Sequence, residues 1–539
     1  MSGSEVLFLM ALRTEYRSRD PDVLVEILHE RDAEIERLQT SLKTLGALLR
    51  GARSETAATV LENQGALDLG DLQADAQPAA ANDETPATAA ERKPRKKAKR
   101  NIGFLPKHLP RVEEVIEPKS ADCPCCSGKL HRIGEDRFEA LDGVPATVRV
   151  LCTIRPKYAC RACEGAVIQA PAKARLFEGG MATTAFIANV IVWKFAWFIP
   201  LHRQVQMLAG HGVNLDRGTL SLWVRRVAWW LTALYELQLK EIHAHPRIFC
   251  DDPKGGASHT RMPVLEKGRK TVRIHQFWAH AVDDRPWSGP APPAVVYIFA
   301  KSRSGREIRS QLAGYSGIVQ VDAYSAYTAL AKAGRNAGPI TLAYCVAHAR
   351  RKFTDVYKRA PSDLGRDVIE RFGAIYAIEA EIRGKGAEER RAVRQERTAP
   401  MMAELKRILE DGLKPISAKS AMAGAIRYSF GHWAGLTAFL EDGRIEIDSN
   451  TVERTMRPIG LGRRNSLFAG SCGGAESWAI LASLLQTARL NGLDPYIWLN
   501  DVLEKIVSGE VKSHELDQLL AWKWKAGREA EAQALAAAA

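Results

Sequence analysis

Three acidic residues stand where an apolar run ends or a helix begins. Asp251 closes Arg247-Ile-Phe-Cys, Asp322 closes Gly317-Ile-Val-Gln-Val, and Glu453 follows Ile447-Asp-Ser-Asn-Thr-Val. Carboxylates are hard oxygen ligands and suit Mg2+ or Mn2+ better than they suit soft metals. Two such cations ~3.5–4 Å apart can activate an attacking oxygen and stabilise the leaving oxygen of a phosphodiester. Residue type alone leaves a second reading open. Acids at strand ends are often turn formers, and Asn450 with Glu453 three residues on can form a helix-capping pair that needs no metal.

A second constellation is Cys123-Pro-Cys-Cys126 and Cys160-Arg-Ala-Cys163, with 33 residues between the pairs. Two such knuckles offer four thiolates in the tetrahedral arrangement of a structural Zn2+ site. Reduced, buried cysteines without metal are the alternative. The intervening segment Ala146 to Ile154 alternates like a strand, and Cys125 and Cys152 stay outside the set.

The acids need strands to hold them. Apolar runs with strand grammar cover 247–251, 273–282 and 294–300; a helix is expected over 306–312, a strand over 317–322, a helix over 325–333 and a strand over 340–346. The order βββαβαβ is that of an α/β core with a mixed sheet, the ribonuclease-H-like layout, over residues 244–470. There the first and fourth strands are neighbours, so Asp251 and Asp322 converge although 71 positions apart. The third acid comes from a later helix. Between Asp322 and Glu453 the pattern is mostly helical (363–383, 400–413), a helical insertion over about 355–440.

Around this core the chain is modular, as 539 residues require. Leu24, Leu28, Ile35, Leu38, Leu42, Leu45 and Leu49 mark a seam broken only by Arg31, so residues 1–50 read as a coiled coil that pairs two chains, or as one amphipathic helix on its own domain. Residues 51–110 read as a linker that ends in a basic strip. From Glu91 to Arg111 nine Lys/Arg face one acid, 9 − 1 = +8 of the chain's net +13. Such a strip attracts a phosphate backbone, or is simply a solvated linker. Residues 111–178 hold the zinc-finger-like segment. Residues 179–243 are helical; 201–211, the turn Gly212-Val-Asn214 and 219–226 make a helix-turn-helix shape bearing Arg225 and Arg226, open to DNA reading or to plain helical packing. No apolar stretch reaches the ~20 residues a bilayer needs, and no secretory signal is present, so a cytoplasmic protein that does not engage a membrane is expected.

Several stretches resemble the transposases of the insertion-sequence 66 family: IGFLPKHLPR (102–111), CPCCSGKLHRIGED (123–136), RPKYACRACEGAVIQAPA (155–172), LHRQVQMLAGHGVNLDRGTLSLWV (201–224), DDRPWSGPAPPAVVY (283–297), VQVDAYSAY (319–327), CVAHARRKF (345–353), IDSNTVERTMRP (447–458) and LGRRNSLFAGS (461–471). The resemblance runs over nearly the whole chain. It implies an N-terminal zipper, a zinc-binding segment, a helical DNA-binding region, an acid-acid-glutamate core and a helical C-terminal extension (471–539). Matched residue by residue, VQVDAYSAY makes Asp322 the second catalytic acid and IDSNTVERTMRP makes Glu453 the third. Asp251 is the first, with Asp252 as the alternative. The family continues from its aspartate pair into Thr-Pro and a Val-Pro-Val-Leu strand, whereas this chain reads Asp251-Asp-Pro-Lys-Gly-Gly-Ala-Ser-His-Thr-Arg before Met262-Pro-Val-Leu265.

Cys345-Val-Ala-His348 resembles a Cys-x-x-His signature of related transposase groups, where the pair supports the site or contacts DNA; a packed core histidine is the other reading. Arg350, Arg351 and Lys352 are expected to contact phosphates, with Arg454, Arg457, Arg463 and Arg464 beside the third acid. The function implied is a DNA transposase of a bacterial insertion sequence, nucleoid-associated, that binds terminal inverted repeats. It would cleave and join strands at a two-metal Mg2+ or Mn2+ site, with Zn2+ structural. Its partners would be double-stranded DNA at element ends and target, a second copy through the zipper, and accessory proteins of the same element. A relic that binds ends without cutting, and a structure-specific nuclease, are the rival expectations.

Overall fold

The computed structural model describes residues 148–154, 157–159, 167–169, 172–177, 180–251, 261–265, 271–331 and 337–538. The zipper seam, the linker, the basic strip, Cys123, Cys126, Cys160, Cys163 and Asp252 therefore lie outside the described residues. The chain divides into two units, Met1–Ile154 and Arg155–Ala539. In the first, residues 148–154 are exposed and carry no regular secondary structure, where strand-like alternation was expected.

The second unit opens with a two-stranded antiparallel hairpin, β1 (Lys157–Ala159) and β2 (Val167–Gln169). Three helices follow, α1 (Thr184–Phe195), α2 (Leu201–Gly210) and α3 (Arg217–Ala244). The Asp216 carboxylate caps α3 by accepting from the Gly218 amide at 2.6 Å. Expected to end at Arg226, α3 instead runs 28 residues. Its buried stripe (Leu220, Trp223, Val227, Leu231, Leu234, Ile242) continues at helical spacing, and no breaker intervenes before His245-Pro246.

The core is a six-stranded mixed sheet of β3 (Arg247–Asp251), β4 (Arg261–Leu265), β5 (Val272–Val282), β6 (Ala294–Ala300), β7 (Gly317–Val321) and β8 (Ile340–Tyr344). Its order is β4-β5-β3-β7-β8, with β6 on the other side of β5. The ladders β3–β7 and β7–β8 are parallel and the rest antiparallel. The expected strands are present, with α4 (Gly305–Gln311) and α5 (Ser325–Thr328) between them; β4 is an addition that forms a hairpin with β5.

Helix α6 (Val346–Arg359) leaves β8 and leads into a helical insertion: α7 (Asp363–Glu381), α8 (Ala387–Val393), a π-helical turn (Arg394–Thr398), α9 (Ala399–Leu413), α10 (Ala421–Gly431), α11 (Trp433–Leu436) and α12 (Ala438–Glu441). The chain returns through α13 (Asn450–Asn465), α14 (Cys472–Leu490), α15 (Pro495–Ser508) and α16 (Ala521–Ala538).

Strand alternation gives the sheet two buried faces. Phe249, Phe277 and Tyr297 share one apolar cluster with residues of α1, α3, α13 and α14; Ile248, Cys250, Val319 and Val321 share another with α4, α6 and the insertion. The free edge of β6 is sealed by hydroxyls of α14, since Ser483 accepts from the Tyr297 amide at 2.7 Å and Thr487 from the Val295 amide at 3.0 Å. Among the described residues no helix is long and apolar enough to cross a membrane.

Candidate carboxylate site

Asp251 is the last residue of β3 and is only 6% exposed. The parallel ladder pairs Phe249 with Gln320, and the same register carried two residues further sets Asp251 beside Asp322, immediately past β7. Both acids stand on the Phe249 face. That face packs against Val452 and Met456 of α13, the helix whose first turn holds Glu453.

The approach to α13 is stitched in place. The Cys345 amide donates to the Val321 carbonyl (3.0 Å), the Val346 amide to the Ile447 carbonyl (3.0 Å) and the Ser449 amide to Cys345 Sγ (3.3 Å). The chain entering α13 is thus bonded to the start of α6, which is bonded to the residue before Asp322.

The capping pair expected from Asn450 and Glu453 does not form. Ser449 is the cap position and Asn450 the first helical residue, whose side-chain amide donates to Asp448 Oδ2 at 2.8 Å. The Glu453 carboxylate is turned elsewhere. Oε1 lies 3.4 Å from Ser449 Oγ, which donates to it, and 3.6 Å from His348 Nε2. Cys345, His348 and Glu453 each bring a possible ligand atom within 4.8 Å of the others. The buried Cys345 thiol is pushed up to about 11 by burial, so it is protonated at neutral pH without a cation.

Asp322 begins a tight turn. Its Oδ1 accepts from the Tyr324 amide at 3.3 Å, and Ala323 between them sits at φ 70°, a left-handed conformation that costs a residue with a Cβ. Tyr428 of the insertion donates its hydroxyl to the Asp322 carbonyl at 3.4 Å. Burial raises that phenol well above its ordinary value, so it stays a donor. Sequence reasoning missed Tyr428, Ser449 and Asp448, whose carboxyl burial raises. Asp448 and Ser449 stood inside the Ile447–Glu453 motif without a spacing that marks them, and Tyr428 is 106 positions from Asp322.

The basic residues divide into two groups. Arg351, Lys352, Arg454, Arg457, Arg464 and Arg225 are exposed, and Glu453, Arg457 and Arg464 fall on one face of α13 by helical spacing. Arg350 is half-buried, 6.0 Å from the Tyr376 ring. Two others are engaged by the fold. Arg226 stacks on Trp229 (4.6 Å) and Trp230 (5.5 Å) and donates to the Leu176 carbonyl at 3.4 Å. Arg463 donates to the carbonyls of Arg261 (2.8 Å), Ser466 (3.2 Å) and Leu467; burial lowers its guanidinium to about 10, still charged at neutral pH.

Cys160 and Cys163 lie in sequence between β1 and β2, outside the described residues.

Comparison with known proteins fits this layout. The family model described as transposase IS66 family matches residues 179–477, which include all three acids. The zinc-finger binding domain of transposase IS66 matches 120–164, spanning both cysteine pairs. The IS66 C-terminal element matches 483–522, and the model described as transposase C of IS166 homeodomain matches 37–113. Three similar proteins come from Sinorhizobium fredii (strain NBRC 101917 / NGR234). Uncharacterized protein y4jD is 52% identical over 97% of this chain and 100% of its own length. Uncharacterized protein y4qI is 42% identical over 81% of this chain and 80% of its own, and uncharacterized protein y4hP 35% identical over 90% and 88%. With a family match over more than half its length, and relatives aligned nearly end to end, the chain belongs to the IS66 family of transposases.

Proposed function

We propose that the chain cuts DNA at the ends of an insertion sequence and joins the freed ends to target DNA, using Asp251, Asp322 and Glu453 in a ribonuclease-H-like core. The observation that supports this reading is the β3–β7 register, whose last pair, Phe249 and Gln320, stands two residues before each strand-end acid on the face that α13 covers. Both rivals read from sequence keep the fold but differ in what the acids do, and the test below separates them.

By donor type the three carboxylates suit hard divalent cations, while the ligand atoms that lie within 4.8 Å of one another among the described residues are those of Cys345, His348 and Glu453. When bound, Mg2+ or Mn2+ supplies the positive charge that offsets charge developing on the phosphodiester. The chain's own residues do the rest. Asp251 and Asp322 are held by sheet register and Glu453 by Ser449 and His348. Arg351, Lys352, Arg457 and Arg464 line the approach and hold phosphates. Catalysis then rests on positioning and charge, first with water and then with the 3′-hydroxyl as nucleophile, and needs no covalent protein intermediate.

The zinc segment (Cys123, Cys126, Cys160, Cys163) and the α2–α3 pair with Arg225 recognise the terminal repeats. The N-terminal zipper pairs two copies so that two ends are held together, in the bacterial cytoplasm, with or without companion proteins of the element.

The test incubates the full chain with a labelled element end and Mg2+ or Mn2+. Nicking at the end that is lost in Asp322→Asn and Glu453→Gln supports the proposal. Binding without nicking favours the binding-only reading, to which the unusual run after Asp251 points, and cutting of unrelated branched DNA favours a nuclease.

A further inference from the structure

Gln320 is 2% exposed and lies two residues before Asp322 on the same face of β7. Its carboxamide makes three bonds. Oε1 accepts from Arg247 Nη1 at 3.1 Å and from the Glu446 amide at 3.0 Å, and Nε2 donates to the Glu446 carbonyl at 2.9 Å. These partners sit on the other two segments that carry acids. Arg247 is four residues before Asp251 on one face of β3, and Glu446 is seven before Glu453 on the stretch that enters α13.

Each partner is anchored in turn. Arg247, fully buried, donates through Nη2 to the Asp283 carbonyl and Asp284 Oδ1, both at 2.9 Å. The Glu446 carboxylate lies 2.7 Å from Arg390, whose neighbour Arg394 holds Glu379 with two 2.7 Å bonds and donates to the carbonyls of Phe439 and Ile445 at 2.9 Å. The carboxamide of Gln320 thus binds both the amide and the carbonyl of Glu446 from the face of β7, whose two edges are already paired with β3 and β8.

Resting on the carboxylate-site reading above, we propose that Gln320 is a positioning residue that fixes the spacing of Asp251, Asp322 and Glu453 by tying their three segments through one buried side chain. No other polar side chain among the described residues bonds to all three segments in the contacts above. A residue that only satisfied buried polar groups would alter folding stability and leave cation affinity alone. A residue that sets carboxylate spacing alters the affinity of the folded protein, because ligand geometry decides how well a hard cation is held.

The experiment measures Mn2+ binding to the full chain by loss of the free-ion electron paramagnetic resonance signal, without DNA. Wild type, Asp322→Asn, Gln320→Met and Gln320→Glu are compared, the last keeping both acceptor contacts and losing the donation to Glu446. The expected result is loss of the tightest Mn2+ binding in Asp322→Asn and weakening of roughly 10- to 100-fold in Gln320→Met, with a smaller loss in Gln320→Glu. Should Gln320→Met fail to fold, weakened binding in folded Gln320→Glu supports the proposal and wild-type binding overturns it. Wild-type affinity in folded Gln320→Met overturns it while leaving the carboxylate site intact. Binding indifferent to Asp322→Asn overturns the carboxylate-site reading itself, and this inference with it.

Discussion

His348 and Glu453 face each other where α6 meets α13, Nε2 3.6 Å from Oε1. The imidazole and the Ser449 hydroxyl, which donates to the same oxygen at 3.4 Å, together hold this acid in one orientation. Outer partners of ligating carboxylates typically cost 10- to 100-fold when removed. His348→Ala is therefore expected to slow end cleavage by roughly 10- to 100-fold while gel-shift affinity for the DNA end is unchanged. Cleavage at the wild-type rate would make His348 a packing residue.

Gly317 starts β7 at φ 133°, and a Cβ there would lie 2.5 Å from the Pro246 carbonyl oxygen. That oxygen accepts the first bond between the two segments, from the Ile318 amide at 2.9 Å. Gly317→Ala must adopt a strained conformation and push β7 away from β3. Equilibrium unfolding in denaturant should show a loss of about 1–3 kcal/mol, and end cleavage should fall further than binding because the register of Asp251 and Asp322 is disturbed. An unchanged midpoint would refute this account of the glycine.

Arg394 is fully buried in the insertion and holds Glu379 in a two-pronged pair. Removing Arg394 leaves the buried Glu379 carboxylate with only the longer Arg390 pair at 3.6 Å, and breaking a buried pair costs about 3–5 kcal/mol. Arg394→Leu should lose that much in chemical denaturation, and adding Glu379→Leu should recover a large part of it. A double variant no better than the single one would place the energy in Arg394's bonds to the carbonyls of Phe439 and Ile445 instead.

Lys194 carries its ammonium 4.9 Å from the Trp478 ring and 5.2 Å from the Phe195 ring, and burial lowers its pKa from 10.5 to about 8. At neutral pH the folded chain holds a charge that burial disfavours, only partly offset by the rings. Between the two pKa values the unfolded chain binds more protons, so stability rises with pH across that window. Lys194→Met should raise the melting temperature at about pH 7, and its advantage should shrink at about pH 10. A constant advantage across the series would show that packing, not charge, is responsible.

Much of the core was legible because strands and acids carry local marks. The runs ending in Asp251 and Asp322 are short, apolar and bounded by turn residues, so their strands were read within a residue or so. Helix α3 was cut short in the reading because a helix-turn-helix shape needs only its first turns, whereas the apolar stripe that keeps it helical to Ala244 serves packing on the sheet. The capping role expected of Asn450 failed for a similar reason. Ser449 is tethered to Cys345, which shifts the helix start by one residue and frees Glu453 to face His348.

The sequence by itself determined which residue types stand at strand ends and helix starts, the order of elements and the family. Those properties follow from residue type and local periodicity, which act over a few positions. Only the tertiary structure decided which acids share a face, that Gln320 binds both Arg247 and Glu446, and that Arg226 and Arg463 are committed to holding the fold. These are contacts between segments far apart in the chain, and their geometry is set by sheet register and helix packing, which no local pattern encodes.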